Sequence, residues 1–387
     1  MSKYCTSPWV SLFVHHDNKV KSCCAGRWDW GDLSTQSLNE IMNNPEVLQL
    51  KNNIRNGVPN SYCINCVEVE KLGTPSQRET FSHFEIRDEI YHSDNAFQLQ
   101  HLDIRWTNLC NLNCVYCNKG WSTTWQKVMG IPVNPMHYDF HDKILNYIDE
   151  NGKQVKEVIL AGGEPLLQRQ NVQLVQSLQD DASINVISNL SINLSSSPVY
   201  RALLNKRVNW TVSMDNINDR FEYVRHGAKW EQMLENLNIL KTVKNFNVVL
   251  FPVYNIYNCT RLIEFFDFVN EMNLGTHWQL LTTPYYMSPY NFSDKIKQLA
   301  INEIEKLFES STYAKFCKNT TLCHEQTKTF LSSVLKELKN STEPSADIPF
   351  LKWIEEYETK YANDVITFKV LYPELFAALH EPTSIGK

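Results

Sequence analysis

The stretch LQHLDIRW, residues 99–106, is followed a few residues later by CNLNCVYC, residues 110–117. The first reads as a β-strand and the second places three thiols, Cys110, Cys114 and Cys117, directly after its end. Outward from this pair the chain alternates strand and helix. HDKILNYIDENG reads as a helix with Ile144 and Ile148 one turn apart, and VKEVILAGGEP as a strand that ends in a glycine turn. NVQLVQSLQD, INVISNL, RALLNK, VNWTVSMD, WEQMLENLNILKTV, NVVLFPVYN, TRLIEFFDFVNEM and HWQLLTTP continue the alternation. Strands that are each followed by a helix predict an α/β fold with a parallel sheet, curled or fully closed into a barrel. In such sheets ligand chemistry sits at the carboxyl ends of the strands. The polar motifs fall there: the cysteines after the first strand, Gly162, Gly163 and Glu164 after the second, Ser188 and Asn189 after the third, Ser213 and Asp215 after the fourth.

Structural zinc sites are usually closed by four ligands. Three thiols at C-x3-C-x2-C spacing on one loop leave a fourth position open, which suits an iron-sulfur cluster with one iron free for another ligand. The loop contains no histidine.

This pattern resembles the signature of the radical SAM superfamily, C-x3-C-x-aromatic-C, with Tyr116 in the aromatic place, and AGGEP resembles that family's glycine-glycine-glutamate element. The resemblance implies a partial (β/α)6 TIM-like barrel over residues 98–290. It also implies a [4Fe-4S] cluster on Cys110, Cys114 and Cys117 whose open iron takes the amino and carboxylate groups of S-adenosylmethionine (SAM). Reductive cleavage would then give a 5'-deoxyadenosyl radical that abstracts hydrogen from a substrate. Glycines at 162 and 163 allow close backbone approach to the cofactor, and Glu164 is placed to accept from its ammonium. By the same likeness Asn189 and Ser191 are the ribose candidates, Ser213 and Arg225 the carboxylate candidates, and Asp215 meets either cofactor or substrate. Trp106 is given no role.

Residues 1–75 contain CTSPWVSLFVHHDNKVKSCC, then GDLSTQSLNEIMNN, then CINC. Two β-rich runs flank Asp17 and Asn18 as a hairpin; Ser37 and Glu40 have capping-box spacing, and Asn44 with Pro45 restarts a helix. The order of cysteine, Pro-Trp, hairpin, Cys-Cys, helix and C-x2-C resembles the SPASM or twitch modules of radical SAM enzymes. That implies an auxiliary [4Fe-4S] cluster held by Cys5, Cys63, Cys66 and one of Cys23 and Cys24, since neighbours on a strand face opposite ways. Cys23 is preferred. In the family this module normally follows the core, whereas here it precedes it. Residues 76–97, beginning within LGTPSQRETFS, read as a linker, and 291–387 as a helical extension with a break at NSTEPSADIP. Cys259 reads as a core thiol. Cys317 and Cys323, with His324, read as helix-end residues that are also able to add a ligand.

The chain has 387 residues, eleven cysteines and a net charge of -6. No run of Lys and Arg marks a phosphate-binding stripe, which argues against nucleic acid, and no signal or membrane-spanning segment is evident. A cytoplasmic location follows, where thiols stay reduced and clustered cysteines are ligands rather than disulfides. The resemblance implies an electron donor such as flavodoxin or ferredoxin and a peptide or protein substrate that is oxidised, crosslinked or epimerised. A small molecule or sugar is the alternative substrate, and a zinc-stabilised, non-catalytic binding protein is the alternative of another class.

Overall fold

Along residues 183–188 and 207–212 every second residue is fully buried: Ile184 and Val186 on one strand, Val208, Trp210 and Val212 on the next. Period-two burial is the mark of strands covered on one face. The computed structural model describes residues 5–71, 76–133, 139–320, 323–341, 345–362 and 364–381. Among these it has strands β1 (Ser11–Val14), β2 (Lys19–Lys21), β3 (Gly31–Asp32), β4 (His101–Ile104), β5 (Glu157–Leu160), β6 (Ser183–Ser188), β7 (Arg207–Val212), β8 (Phe246–Leu250), β9 (Val253–Tyr254), β10 (Gly275–Thr276) and β11 (Gln279–Leu280).

Nine of these strands form one sheet in the order β10-β8-β7-β6-β5-β4-β1-β2-β3, and β9 pairs with β11. The run from β4 to β10 is parallel throughout, as the alternation predicts, and the sheet is open rather than a closed barrel. Of the expected last strand, HWQLLTTP, only β11 is strand, and the two-residue β10 lies just before it. Leu102, Ile104, Val158, Leu160, Ile184 and Val186 are all fully buried on the covered face. Each such side chain contributes about 1.5–3 kcal/mol. The opposite face carries Asp103, Glu157, Asn185, Asn209 and Thr211, with Asn185 donating to Glu157 (2.6 Å) and Asn209 to Asn185 (2.8 Å).

Apolar spacing sets the covering helices. Trp230, Met233, Leu237 and Leu240 are the buried stripe of Trp230–Thr242, and Leu262, Phe265, Phe266 and Val269 that of Leu262–Met272. The latter helix stops at Asn273, which takes the left-handed conformation (φ 51°).

The hairpin forms with Asn18 at positive φ, the Ser37–Glu40 capping box closes, and Asn44 caps the helix Pro45–Arg55. One arrangement was not legible in the sequence: β1 lies parallel to β4, with Ser11 opposite His101 and Phe13 opposite Asp103. The amides of Gln98, Gln100 and Arg105 bond the carbonyls of Trp9, Val10 and Val14. The N-terminal segment, expected as a separate domain, thus shares the sheet of the core. Residues 76–97, read as a linker, carry short helices whose Phe81, Phe84, Ile90 and Tyr91 are buried, and Thr6 donates to the Phe81 carbonyl at 2.6 Å. Residues 72–75, the start of LGTPSQRETFS, and 342–344 of the expected C-terminal break lie outside the described residues. No described helix is long and apolar enough to cross a membrane.

Candidate active site

The loop that bears Cys110, Cys114 and Cys117 leaves the end of β4 and is pinned at three of its carbonyls. The hydroxyl of Thr124 donates to the Cys110 carbonyl (2.7 Å), that of Ser122 to Leu112 (2.6 Å), and the Trp125 indole N–H to Cys114 (3.0 Å). On its other side the amides of Asn113 and Val115 bond the carbonyls of His226 and Val224, and the Asn113 side chain donates to the Tyr361 hydroxyl (2.7 Å). The C-terminal helices therefore brace the loop. None of Ser122, Thr124, Trp125 and Tyr361 was legible beforehand, because each acts through a contact and carries no motif of its own.

The glycines serve this loop. A Cβ on Gly163 would lie 2.2 Å from the Leu109 carbonyl oxygen, and one on Gly162, at φ +116°, 2.9 Å from that of Thr107. The reason expected for these glycines was approach of a cofactor; the structure supplies another, the cysteine loop lying flat on the end of β5. Glu164 is fully buried: its carboxylate accepts from Ser188 Oγ (2.9 Å), Leu166 N (3.0 Å) and Asn189 N (2.8 Å), tying the end of β5 to that of β6. Burial pushes its pKa up to about 7, against the pull of those donors.

Beyond β6, Asn189 donates to Asn111 (3.2 Å), Asn111 to Ser191 (2.8 Å), and Ser191 back to Asn189 (2.6 Å), while Asn189 Nδ2 is 3.8 Å from Cys110 Sγ. Asn111 is an addition to the expected set. Ser213 is half-buried, its amide bonded to the Ser188 carbonyl (2.9 Å). Arg225, expected to meet the cofactor's carboxylate, is buried: it pairs with Asp215 at 2.9 Å and donates to the Tyr116 hydroxyl at 2.8 Å, which itself donates to Asp215 at 2.6 Å. Tyr116 and Arg225 are thereby one unit behind the cysteines.

Burial pushes Cys110 and Cys114 up to about 12 and Cys117 up to about 11, and the neighbouring thiols add to the shift. Such groups ionise only beside a strong positive charge, which an iron centre supplies. The donor set fits a cluster that takes three thiolates.

The second thiol set lies in the N-terminal segment. Cys5 donates to Ser7 (3.3 Å), Ser7 and Ser22 share a hydrogen bond (3.1 Å), and the Ser22 amide donates to the hydroxyl of Tyr62 (2.9 Å), the residue before Cys63. Three distant segments are so gathered around Cys5, Cys23, Cys63 and Cys66. Burial pushes Cys23 and Cys63 up to about 12, and among the neighbouring thiols Cys5 adds most in each case. A cavity of about 220 Å³ opens at Cys5 and Cys63, lined also by Arg78, whose Nε bonds Glu70 at 3.0 Å. Four thiols beside a cavity fit a fully ligated cluster. Cys24 is exposed, and the charges that bear on it are first those of Asp103 and Arg105. β2 ends at Lys21, so the two cysteines diverge in a turn and not by strand alternation as expected. Cys259 is a buried core thiol; Cys323 packs on Gly275 of the edge strand β10, and Cys317 lies beside Tyr313, away from both thiol sets. Among the described residues, no three His, Cys, Asp or Glu side chains are grouped as a single metal ion would require.

Among curated proteins, the chain is similar to 7-carboxy-7-deazaguanine synthase of Clostridium acetobutylicum, 28% identical over 50% of this chain and 78% of that one. It is also similar to GTP 3',8-cyclase of Peptoclostridium acidaminophilum, 29% identical over 41% of this chain, and spans 49% of that enzyme's length. Among solved structures, native anSMEcpe with bound AdoMet matches with a TM-score of 0.42 and 16% identity over 57% of this chain and 62% of that one. The radical SAM superfamily profile matches residues 104–266, and an iron-sulfur cluster-binding domain, SPASM, matches residues 5–67. With these domains come a SAM-binding [4Fe-4S] cluster, SAM and an auxiliary iron-sulfur cluster as cofactors. The chain belongs to the radical SAM superfamily, with its auxiliary-cluster domain ahead of the core.

Proposed function

We propose that the protein takes a hydrogen atom from a small polar molecule by radical SAM chemistry. When bound, the cluster and SAM, given one electron from a donor of the flavodoxin or ferredoxin class, supply methionine and the 5'-deoxyadenosyl radical that receives that hydrogen. Cys110, Cys114 and Cys117 hold the core cluster in this reading, and the Asn111–Asn189–Ser191 network beside Cys110 meets the ribose. Glu164 ties the ends of β5 and β6, with Gly162, Gly163, Tyr116, Ser213 and Arg225 lining or bracing the SAM site. Cys5, Cys23, Cys63 and Cys66 hold the auxiliary cluster.

The observation that carries the reading is the three-thiol loop seated on the paired glycines at the strand ends and held there by the hydroxyls of Thr124 and Ser122. Small-molecule substrates are supported by the names of the relatives, which concern GTP and a deazaguanine. The peptide substrate expected from the resemblance finds no support among these relatives. A cytoplasmic setting completes the proposal, supported by eleven cysteines that are all free.

Metal analysis of anaerobically reconstituted protein tests the reading. It should find about eight irons per chain in the wild type and about four in the Cys110→Ala, Cys114→Ala, Cys117→Ala variant. Stoichiometric zinc without iron would refute it and favour the non-catalytic alternative.

A further inference from the structure

Arg105 is the first residue past β4, and its guanidinium is held between two aromatic rings, 4.9 Å from the centroid of Phe13 and 5.6 Å from that of Trp121. Its backbone amide bonds Val14. Behind it stands the buried carboxylate of Asp103, met at 3.4 Å by Nε and at 3.5 Å by Nη2. These contacts exceed the roughly 2.7–2.9 Å of a strong charge-assisted pair. Nη1 makes no hydrogen bond among the described residues, and the side chain stays partly exposed. The guanidinium is thus fixed in plane, loosely countered, and has donors to spare.

Its position matters as much as its state. On one side a Cβ placed on Gly162 would lie 3.4 Å from Arg105 Cβ. On the other are His15 and His16, whose rings pack on Trp121 at 4.9 and 5.0 Å, and the turn that carries Cys24. Arg105 therefore stands between the glycine pair of the core and the N-terminal thiol turn. His16 does not compete as a cation, since burial, with His15 beside it, lowers its pKa to about 4.

We infer that Arg105 is the oxyanion receptor of the substrate site: a carboxylate or phosphate of the molecule that loses hydrogen docks on its fork, with Trp121 and Phe13 holding the plane. A planar fork pre-set in this way matches either group bidentately, which a lysine at the same place would not. The inference rests on the proposed radical SAM reading, takes the ground between the two thiol sets as the substrate site, and names the class of substrate as anionic.

Chemical footprinting of the wild-type holoprotein tests it. The protein is saturated with SAM, treated with phenylglyoxal, and digested for mass spectrometry, with pyrophosphate or succinate as the added anion. Labelling of Arg105 should slow about tenfold with one of the two anions, while the exposed Arg207 is unaffected. Protection by pyrophosphate alone identifies a phosphate, and by succinate alone a carboxylate. Equal labelling with and without either anion overturns the inference. So does complete shielding by SAM alone, which would make the cofactor's own carboxylate the occupant. In equilibrium dialysis of the protecting anion, Arg105→Gln should weaken binding about tenfold and Arg105→Lys less. Absence of 5'-deoxyadenosine from dithionite-reduced samples of the same holoprotein, without phenylglyoxal, would count against the radical reading alone, because protection reports occupancy without turnover.

Discussion

Cys23 and Cys24 are neighbours in the chain and serve different places. Cys23 is buried with Cys5 and Cys66 close enough to act on it, whereas Cys24 is exposed toward Asp103 and Arg105. Cys23→Ser should therefore lower iron by about four per chain and remove the auxiliary cluster's electron paramagnetic resonance signal, while Cys24→Ser keeps both. The reverse pattern would show that the ligand is Cys24. Gly163 is the other residue on which the site turns. With the Leu109 carbonyl 2.2 Å from where a Cβ would sit, Gly163→Ala forces the cysteine loop off the strand end. The expected cost is about 3 kcal/mol. Anaerobic urea unfolding should show that loss together with incomplete iron loading, and a variant with wild-type stability and iron would refute this role for the glycine.

At the scale of elements, the parallel pairing of β1 with β4 welds the auxiliary-cluster segment to the core, and His101 sits in that seam, its Nδ1 2.8 Å from Ser11 Oγ. Burial, with His83 nearby, lowers its pKa to about 4 from an ordinary 6.5. A histidine neutral in the fold and charged in the unfolded chain contributes stability above pH 6.5 that is lost as the pH falls toward 4. By pH 4.5 the loss amounts to about 2 kcal/mol. His101→Asn removes it, so anaerobic unfolding at pH 7.5 and 4.5 should show the wild type losing about 2 kcal/mol more than the variant. Equal losses would mean that His101 is not buried in a seam. The seam was hidden in the sequence. SLFV and HLDI are short runs of ordinary strand character some ninety positions apart, and nothing local states that they pair in parallel. The strands β5, β6 and β7 were legible because each carries its own period-two pattern between turn signals.

For the whole molecule, one open sheet carries both thiol sets, the core loop after β4 and the N-terminal set around the hairpin that β4 receives as its neighbour. The cysteines, the glycine pair and the alternation of strand and helix were readable because each is a spacing along the chain. Asn111, the Tyr116–Asp215–Arg225 unit and the Phe13–Arg105–Trp121 stack were not, because they exist only after residues from distant strands converge. The most direct measurement of the account is the release of 5'-deoxyadenosine and methionine from SAM by the dithionite-reduced holoprotein, followed by chromatography. The wild type should release both and the Cys110→Ala, Cys114→Ala, Cys117→Ala variant neither; release by that variant, or none by an iron-replete wild type, would contradict it.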